Sequence, residues 1–329
     1  MKLRGALPAV FALCAACGAI VGPDLPNSPA ALFDQVWSDL DQHYSLFIVK
    51  QINWDSLRAV YRPLVLAADR EEQASVVIAN MLSRLHDDHV VFRGTRVGTS
   101  LRGIGYVPTA TSAYIGFQTD FASGVSFGWA GAAVGYIYIP TFDGTLWLPA
   151  LDSALTVLGG ASSIIVDVRN NDGGFLENAT AVAGRFTAQT TTVAYVRYRN
   201  GLAHTDFTGP IAQQVVPAGP RRFTGNVYLL TSRNTISAAE LFVLSMHALG
   251  HTTVVGDTTA GETGSPFSRE LQNGWTYQFP ESVEFTLDGK TFEDIGLPPD
   301  VPVRNTSAQI ARNVDTQLAR TIALAQGKP

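Results

Sequence analysis

Apolar residues in the first third of the chain recur at helical spacing. Phe33, Val36, Trp37, Leu40, Tyr44 and Phe47 stand mostly three and four positions apart, which puts them on one face of a helix. A second set, Val76, Val77, Ala79, Met81, Leu82 and Leu85, predicts another helix ending near His86. From Val90 onward the texture changes to short β-branched runs separated by glycines. Residues 135–140, 163–168, 226–231 and 252–256 read as strands, most of them buried on both faces. Helical stretches lie between or beside them, near 147–158, 176–186 and 237–249. Such alternation predicts an α/β core with a largely parallel central sheet. The expected organisation is a signal segment over 1–17, a linker over 18–29, an N-terminal helical domain over 30–89, an α/β core over 90–310, and a C-terminal helix or tail over 311–329.

Composition narrows the partners. With 46% hydrophobic and 16% charged residues, the 329-residue chain can bury one large core, or one core and a smaller helical domain. The net charge of −5 comes from acids and bases scattered singly, with no stripe to neutralise a run of phosphates, so nucleic acid is disfavoured as a partner. Lys2 and Arg4 precede a short apolar run from Leu7 to Ala16 that ends in small residues, the pattern of an export signal. Both cysteines, Cys14 and Cys17, fall there, leaving the folded part no internal disulfide. The stretch LCAACG over 13–18 resembles a bacterial lipoprotein processing site, although Cys14 stands where leucine is usual. That resemblance makes Cys17 the lipid-attachment residue and implies an exported protein, periplasmic or in the cell envelope, anchored to the membrane. An ordinary signal peptide with incidental cysteines is the alternative.

Two segments carry candidate chemistry. TSRNTISAAE over 231–240 follows a buried strand and opens an apolar helix, so Ser237 stands at a strand-to-helix turn in the positive field of a helix N-terminus. Alone, such a serine is more often a helix cap. IIVDVRNNDGG over 164–174 drives a buried strand into a sharp turn, where Gly173 and Gly174 can take positive φ and leave amides facing a cleft. A plain tight turn explains the same glycines. His86 and His89 are spaced as His-x-x-His, but no further cysteine or histidine cluster completes a tetrahedral set, and no metal or cofactor is expected.

Together with VVGDTTAGE over 254–262, EDIGLPPD over 293–300 and LHDDH over 85–89, these segments resemble, in order and spacing, the tail-specific and tricorn-core protease family. The resemblance implies a crotonase-like (ClpP-like) ββα superhelix core preceded by a small helical domain. In the tail-specific branch a lysine in a Gly-Lys-Gly turn activates the serine, whereas this chain has Glu262 after Gly261. The tricorn-like branch pairs the serine with a histidine and a glutamate, which match His89 and Glu293. A serine usually precedes that histidine; here Asp88 stands in its place, an auxiliary candidate. The resemblance thus implies a serine peptidase acting on a peptide or protein substrate by acyl transfer. Ser237 would be the nucleophile, His89 the base and Glu293 its orienting partner, with the amides of Gly173, Gly174 and Ala238 as the oxyanion hole. About 45 residues separate His89 from the strand at Gly135, too few for an inserted PDZ domain. A binding module holding a hydrophobic ligand or peptide on the same fold is the rival reading. Oligomeric state is not legible.

Overall fold

The computed structural model describes residues 28–98, 107–119, 124–144 and 147–328. The expected signal segment and Cys17 lie outside these residues. Ser28 caps the helix Pro29–His43 by accepting from the Ala31 amide, and Pro29 sits in the first turn, where its missing N–H costs nothing. Leu32, Phe33, Val36, Trp37 and Leu40 form its buried face. The helices Trp54–Leu66 and Glu71–Leu82 pack against it. The Trp37 and Trp54 rings lie parallel with centroids 6.3 Å apart, and each indole N–H donates to the other residue's carbonyl. Both large apolar bodies are thereby buried with their polar handles satisfied.

These helices do not close a core by themselves. Phe92, Leu271, Trp275, Tyr277 and Phe279 complete it. All five lie in or directly beside an antiparallel sheet whose spatial order is Pro266–Glu270, Thr276–Pro280, Val91–Gly94, Val97–Gly98. Ser45 adds a polar tie, its hydroxyl meeting the carbonyls of Pro280 and Ser282. The stretches expected as 30–89 and 90–310 therefore share one apolar core.

A seven-stranded sheet runs Val301–Pro302, Thr252–Gly256, Asn226–Thr231, Ser163–Asp167, Val134–Tyr138, Ser126–Trp129, Gly116–Thr119. The first five strands are parallel and the last two join antiparallel. Ile164, Val166, Val227 and Leu229 face the helices Leu148–Val157, Leu176–Ala183 and Ala238–Ala248 on one side. Ile165, Leu230 and Val255 meet Leu318 of the helix Thr316–Ala325 on the other. Two covered faces are why these strands read as unbroken apolar runs. A third, antiparallel sheet runs Ser282–Phe285, Thr191–Tyr198, Ile211–Val215.

Arg169, fully buried, fixes the exit of the Ser163–Asp167 strand. It donates to Asp167 and to Asp315, and Asp315 in turn caps the C-terminal helix through the Leu318 amide. Burial opposes the guanidinium's charge, but the two carboxylates more than offset that and raise its pKa. The turn at Asn170 to Gly174 hangs directly from this anchor.

Candidate active site

The Asn226–Thr231 strand runs into a turn locked by its own side chains. Thr235 Oγ1 accepts from the Ser232 amide at 3.0 Å and donates to the Val168 carbonyl at 2.9 Å, and the Ile236 amide donates to the Asn171 carbonyl at 3.2 Å. Ser237 emerges with φ 59° and ψ −123°, immediately before the helix Ala238–Ala248. A non-glycine residue held there stores about 1–3 kcal/mol of strain. The surroundings impose it: the Ser237 amide is tied to Glu240 Oε2 at 3.1 Å, and Gly173 leaves no room for retreat. At Gly173, with φ +90°, an added Cβ would sit 2.9 Å from both Ser237 Cβ and the Ile236 carbonyl oxygen.

Of the three amides expected to form an oxyanion hole, that of Gly173 is already committed. It donates to Asn171 Oδ1 at 3.0 Å, because Asn171 folds back to brace the turn. Among the described residues the Gly174 and Ala238 amides have no protein hydrogen-bond acceptor.

His89 comes from a different part of the fold. After His86, which takes φ 48° as the chain leaves a short helical turn, Asp87 Oδ1 accepts the His89 amide at 2.8 Å and Asp87 Oδ2 accepts the Tyr44 hydroxyl at 2.8 Å. His89 Nε2 lies 3.0 Å from Ser237 Oγ, and Nδ1 lies 3.2 Å from the Thr263 carbonyl. A carbonyl only accepts, so Nδ1 carries the proton and Nε2 offers its lone pair to the serine hydroxyl.

Glu293 does not touch His89, which departs from the expected arrangement. Its Oε2 accepts the Thr263 amide at 2.7 Å and its Oε1 meets Lys50 Nζ at 2.8 Å. The carbonyl of Thr263 occupies the place expected for the glutamate, with Glu293 holding that residue from behind. On the same peptide unit the Gly264 amide donates to Glu284 Oε2, which aligns a buried carboxyl, a peptide group and the imidazole in series.

Sequence reasoning passed over most of this acidic surround. Glu240 accepts from Ser237, Gly261, Glu262 and Thr259 and so joins the serine turn to the 259–263 loop. Burial pushes its carboxyl up to about 7, against the pull of those four donors. Burial and then the neighbouring carboxylates Glu293 and Asp87 raise Glu262 to about 9. Burial followed by Asp87 raises Glu293 to about 8, with Lys50 opposing. The lysine is no alternative base. Although burial works against its charge, Glu293 and Asp294 hold its pKa above the ordinary value and occupy its ammonium. Lys290 is exposed and paired with Asp288. The auxiliary candidate, Asp88, is half-buried, whereas its neighbour Asp87 is the residue that grips His89. His247 pairs with Asp300 at the surface and His251 turns to the Leu249 carbonyl, both away from Ser237. The serine-to-glutamate spacing at 237 and 240 is the signature of a reciprocal helix cap, and it could have marked Glu240.

A strand-to-helix elbow presenting a serine hydroxyl to a tautomerically fixed imidazole defines the geometry of a serine hydrolase. The profile of peptidase family S41 matches residues 133–303, just over half of the chain, and the chain belongs to that family. Residues 26–83 match the tricorn protease C1 domain. The carboxy-terminal processing protease CtpA of Bacillus subtilis (strain 168) is 28% identical over 171 residues, 51% of this chain and 34% of that protein. The tricorn protease of Thermoplasma volcanium is 25% identical over 193 residues, 58% of this chain and 17% of that protein. The chain thus spans only a minor part of these relatives' lengths. A solved structure from Parabacteroides merdae ATCC 43184, assigned as a peptidase, superposes with a TM-score of 0.81 at 27% identity, covering 91% of this chain and 97% of that one. Mature CPAF complexed with lactacystin shares the fold, with a TM-score of 0.72 at 11% identity over 92% of this chain and 99% of that one.

Proposed function

We propose that this protein is a serine peptidase that cleaves a peptide or protein substrate by acyl transfer. The 3.0 Å approach of His89 Nε2 to Ser237 Oγ, with Nδ1 tied to a carbonyl, carries the reading. His89 takes the proton as Ser237 attacks the scissile carbonyl and returns it to the leaving amine. The amides of Gly174 and Ala238 receive the developing oxyanion. Glu293 acts at one remove, by holding Thr263, and Glu284 polarises the Thr263 to Gly264 peptide that faces the imidazolium. A base in reach of the hydroxyl favours this over a binding module, which has no use for one.

The test is labelling of the full chain with a fluorophosphonate, followed by mapping of the adduct. The expected result is a single adduct on Ser237 that is lost in Ser237→Ala and slowed at least 100-fold in His89→Ala. An adduct elsewhere, or undiminished labelling of His89→Ala, overturns the assignment.

Export and lipid attachment at Cys17 belong to the same proposal. They rest on the N-terminal sequence pattern; among the described residues no helix is long and apolar enough to cross a membrane. Metabolic labelling with an alkyne fatty acid should mark the wild-type chain and fail on Cys17→Ser; unlabelled wild type reduces the segment to a cleaved signal.

A further inference from the structure

The strongest unassigned feature is the group of ligand atoms gathered around the base. Asp87, His89 and Glu262 are all buried, and each offers one metal-ligating atom within 4.8 Å of the other two. Glu262 is 5% exposed, and its Oε2 has no hydrogen-bond partner. A buried carboxyl oxygen left unpaired is costly, and a cation in this space would satisfy it by taking the place of the proton that burial favours.

The outer support of a metal site is also present. His89 Nδ1 is fixed by the Thr263 carbonyl, which leaves Nε2 as the donor lone pair. Asp87 is held by the Tyr44 hydroxyl and the His89 amide, and the Glu262 backbone is held by Glu240. Metal-ligating histidines and carboxylates are oriented by partners of this kind. Lys50 makes its salt bridges to Glu293 and Asp294 and acts on Asp87 and Glu262 only through space.

We propose that Asp87, His89 and Glu262 bind a divalent ion of the zinc type, and that occupancy reversibly silences the enzyme by taking the imidazole lone pair from Ser237. One imidazole nitrogen and two carboxylate oxygens suit zinc, with the fourth position left to water or Ser237 Oγ. Metal–ligand distances of about 2.0–2.2 Å require the three atoms to draw together by roughly 1 Å. Only one half of the His-x-x-His pair enters: His89 is a ligand, His86 lies outside the cluster, and the ligands come from two loops.

The silencing rests on His89 being the base; the binding does not. The experiment therefore measures both, in the full chain with Cys14 and Cys17 replaced by serine so that thiols do not compete. Zn²⁺ is titrated after EDTA treatment, in competition with a chromophoric chelator. One ion per chain is expected. Glu262→Gln and Asp87→Asn should each weaken it at least ten-fold, and His247→Ala, which removes a surface imidazole, should leave it unchanged. Circular dichroism confirms that each variant is folded, and either carboxylate variant alone suffices. Fluorophosphonate labelling of Ser237 should fall in step with occupancy and return on adding EDTA. Absence of binding below about 1 mM zinc, wild-type affinity in both carboxylate variants, or full labelling at saturation would each overturn the proposal. Failure of labelling without any metal would instead sink the peptidase reading, while the chelator titration still decides the site.

Discussion

The two walls of the serine–histidine site are built on different principles. On the Ser237 side, position is set by the main chain: a serine forced to positive φ, a glycine whose missing Cβ allows the approach, and two amides with no acceptor among the described residues. On the base side, position is set by carboxyl groups: Asp87 on the His89 amide, Glu293 on Thr263, Glu284 on Gly264 and Glu240 on the loop between. The first wall tolerates no added Cβ at Gly173 and feels pH only through Glu240, which holds the Ser237 amide. The second is packed as tightly at Gly261 and Gly264, but its strength depends on which carboxyls are ionised.

That contrast orders the expected effects of substitution. Ser237→Ala should lower kcat by on the order of 10⁴–10⁶-fold with little change in the unfolding midpoint, since the hydroxyl faces the imidazole; steady-state kinetics and thermal denaturation measure the two separately. Behind the same wall, Arg169→Ala strands two buried carboxylates and should cost about 3–5 kcal/mol in urea unfolding. A loss below 1 kcal/mol would show that the anchor is dispensable. Gly173→Ala adds a Cβ at 2.9 Å from Ser237 Cβ in a left-handed conformation, and should remove roughly 100-fold in kcat. Near-native turnover there would mean that the main-chain wall yields after all.

On the acid side the effects are smaller. Glu284→Gln keeps an acceptor but removes charge, and should lower kcat by about ten-fold at unchanged KM while the acid limb of the pH profile moves down, because the imidazolium loses support. An unmoved limb would reduce Glu284 to packing. The same carboxyls make stability depend on pH. Burial raises Glu240 to about 7 and Glu293 to about 8, whereas in the unfolded chain both titrate near 4.3. Between those values the native state holds more protons than the unfolded one, so stability falls as pH rises from about 4.3 through about 8. The unfolding midpoint should be lower at about pH 9 than at about pH 5.5, and Glu293→Gln should flatten the slope. A rising midpoint would show the carboxyls to be ionised throughout.

The same contrast explains what could be read from the chain. The Ser237 wall is two contiguous segments, 164–174 and 231–240, whose turns follow from glycines, a buried strand and a small-residue helix start; local rules suffice for it. The predicted strands and helices of the parallel sheet likewise fall within about two residues of the observed ones, because both faces are covered and the apolar runs are unbroken. The acid wall draws on residues 44, 50, 87, 240, 262, 284 and 293, and nothing local distinguishes a buried glutamate at 284 from a solvated one. Spacing also could not show that Thr263 would present its carbonyl to His89 where a carboxylate was expected. The antiparallel sheet containing Thr276–Pro280 escaped for a related reason: its alternation becomes meaningful only against the helices that cover it.

His89 and Ser237 originate far apart in the chain. His89 with Asp87, Tyr44 and Lys50 belongs to the first hundred residues, and Ser237 with Glu240, Glu262, Glu284 and Glu293 to the rest; the contacts of Lys50 with Glu293 and of Ser45 with Pro280 and Ser282 hold the halves together. Neither half contains a complete proton relay. On the proposed reading, hydrolytic competence is thus a property of the closed assembly, and a chain opened at that seam is chemically silent toward itself and its neighbours.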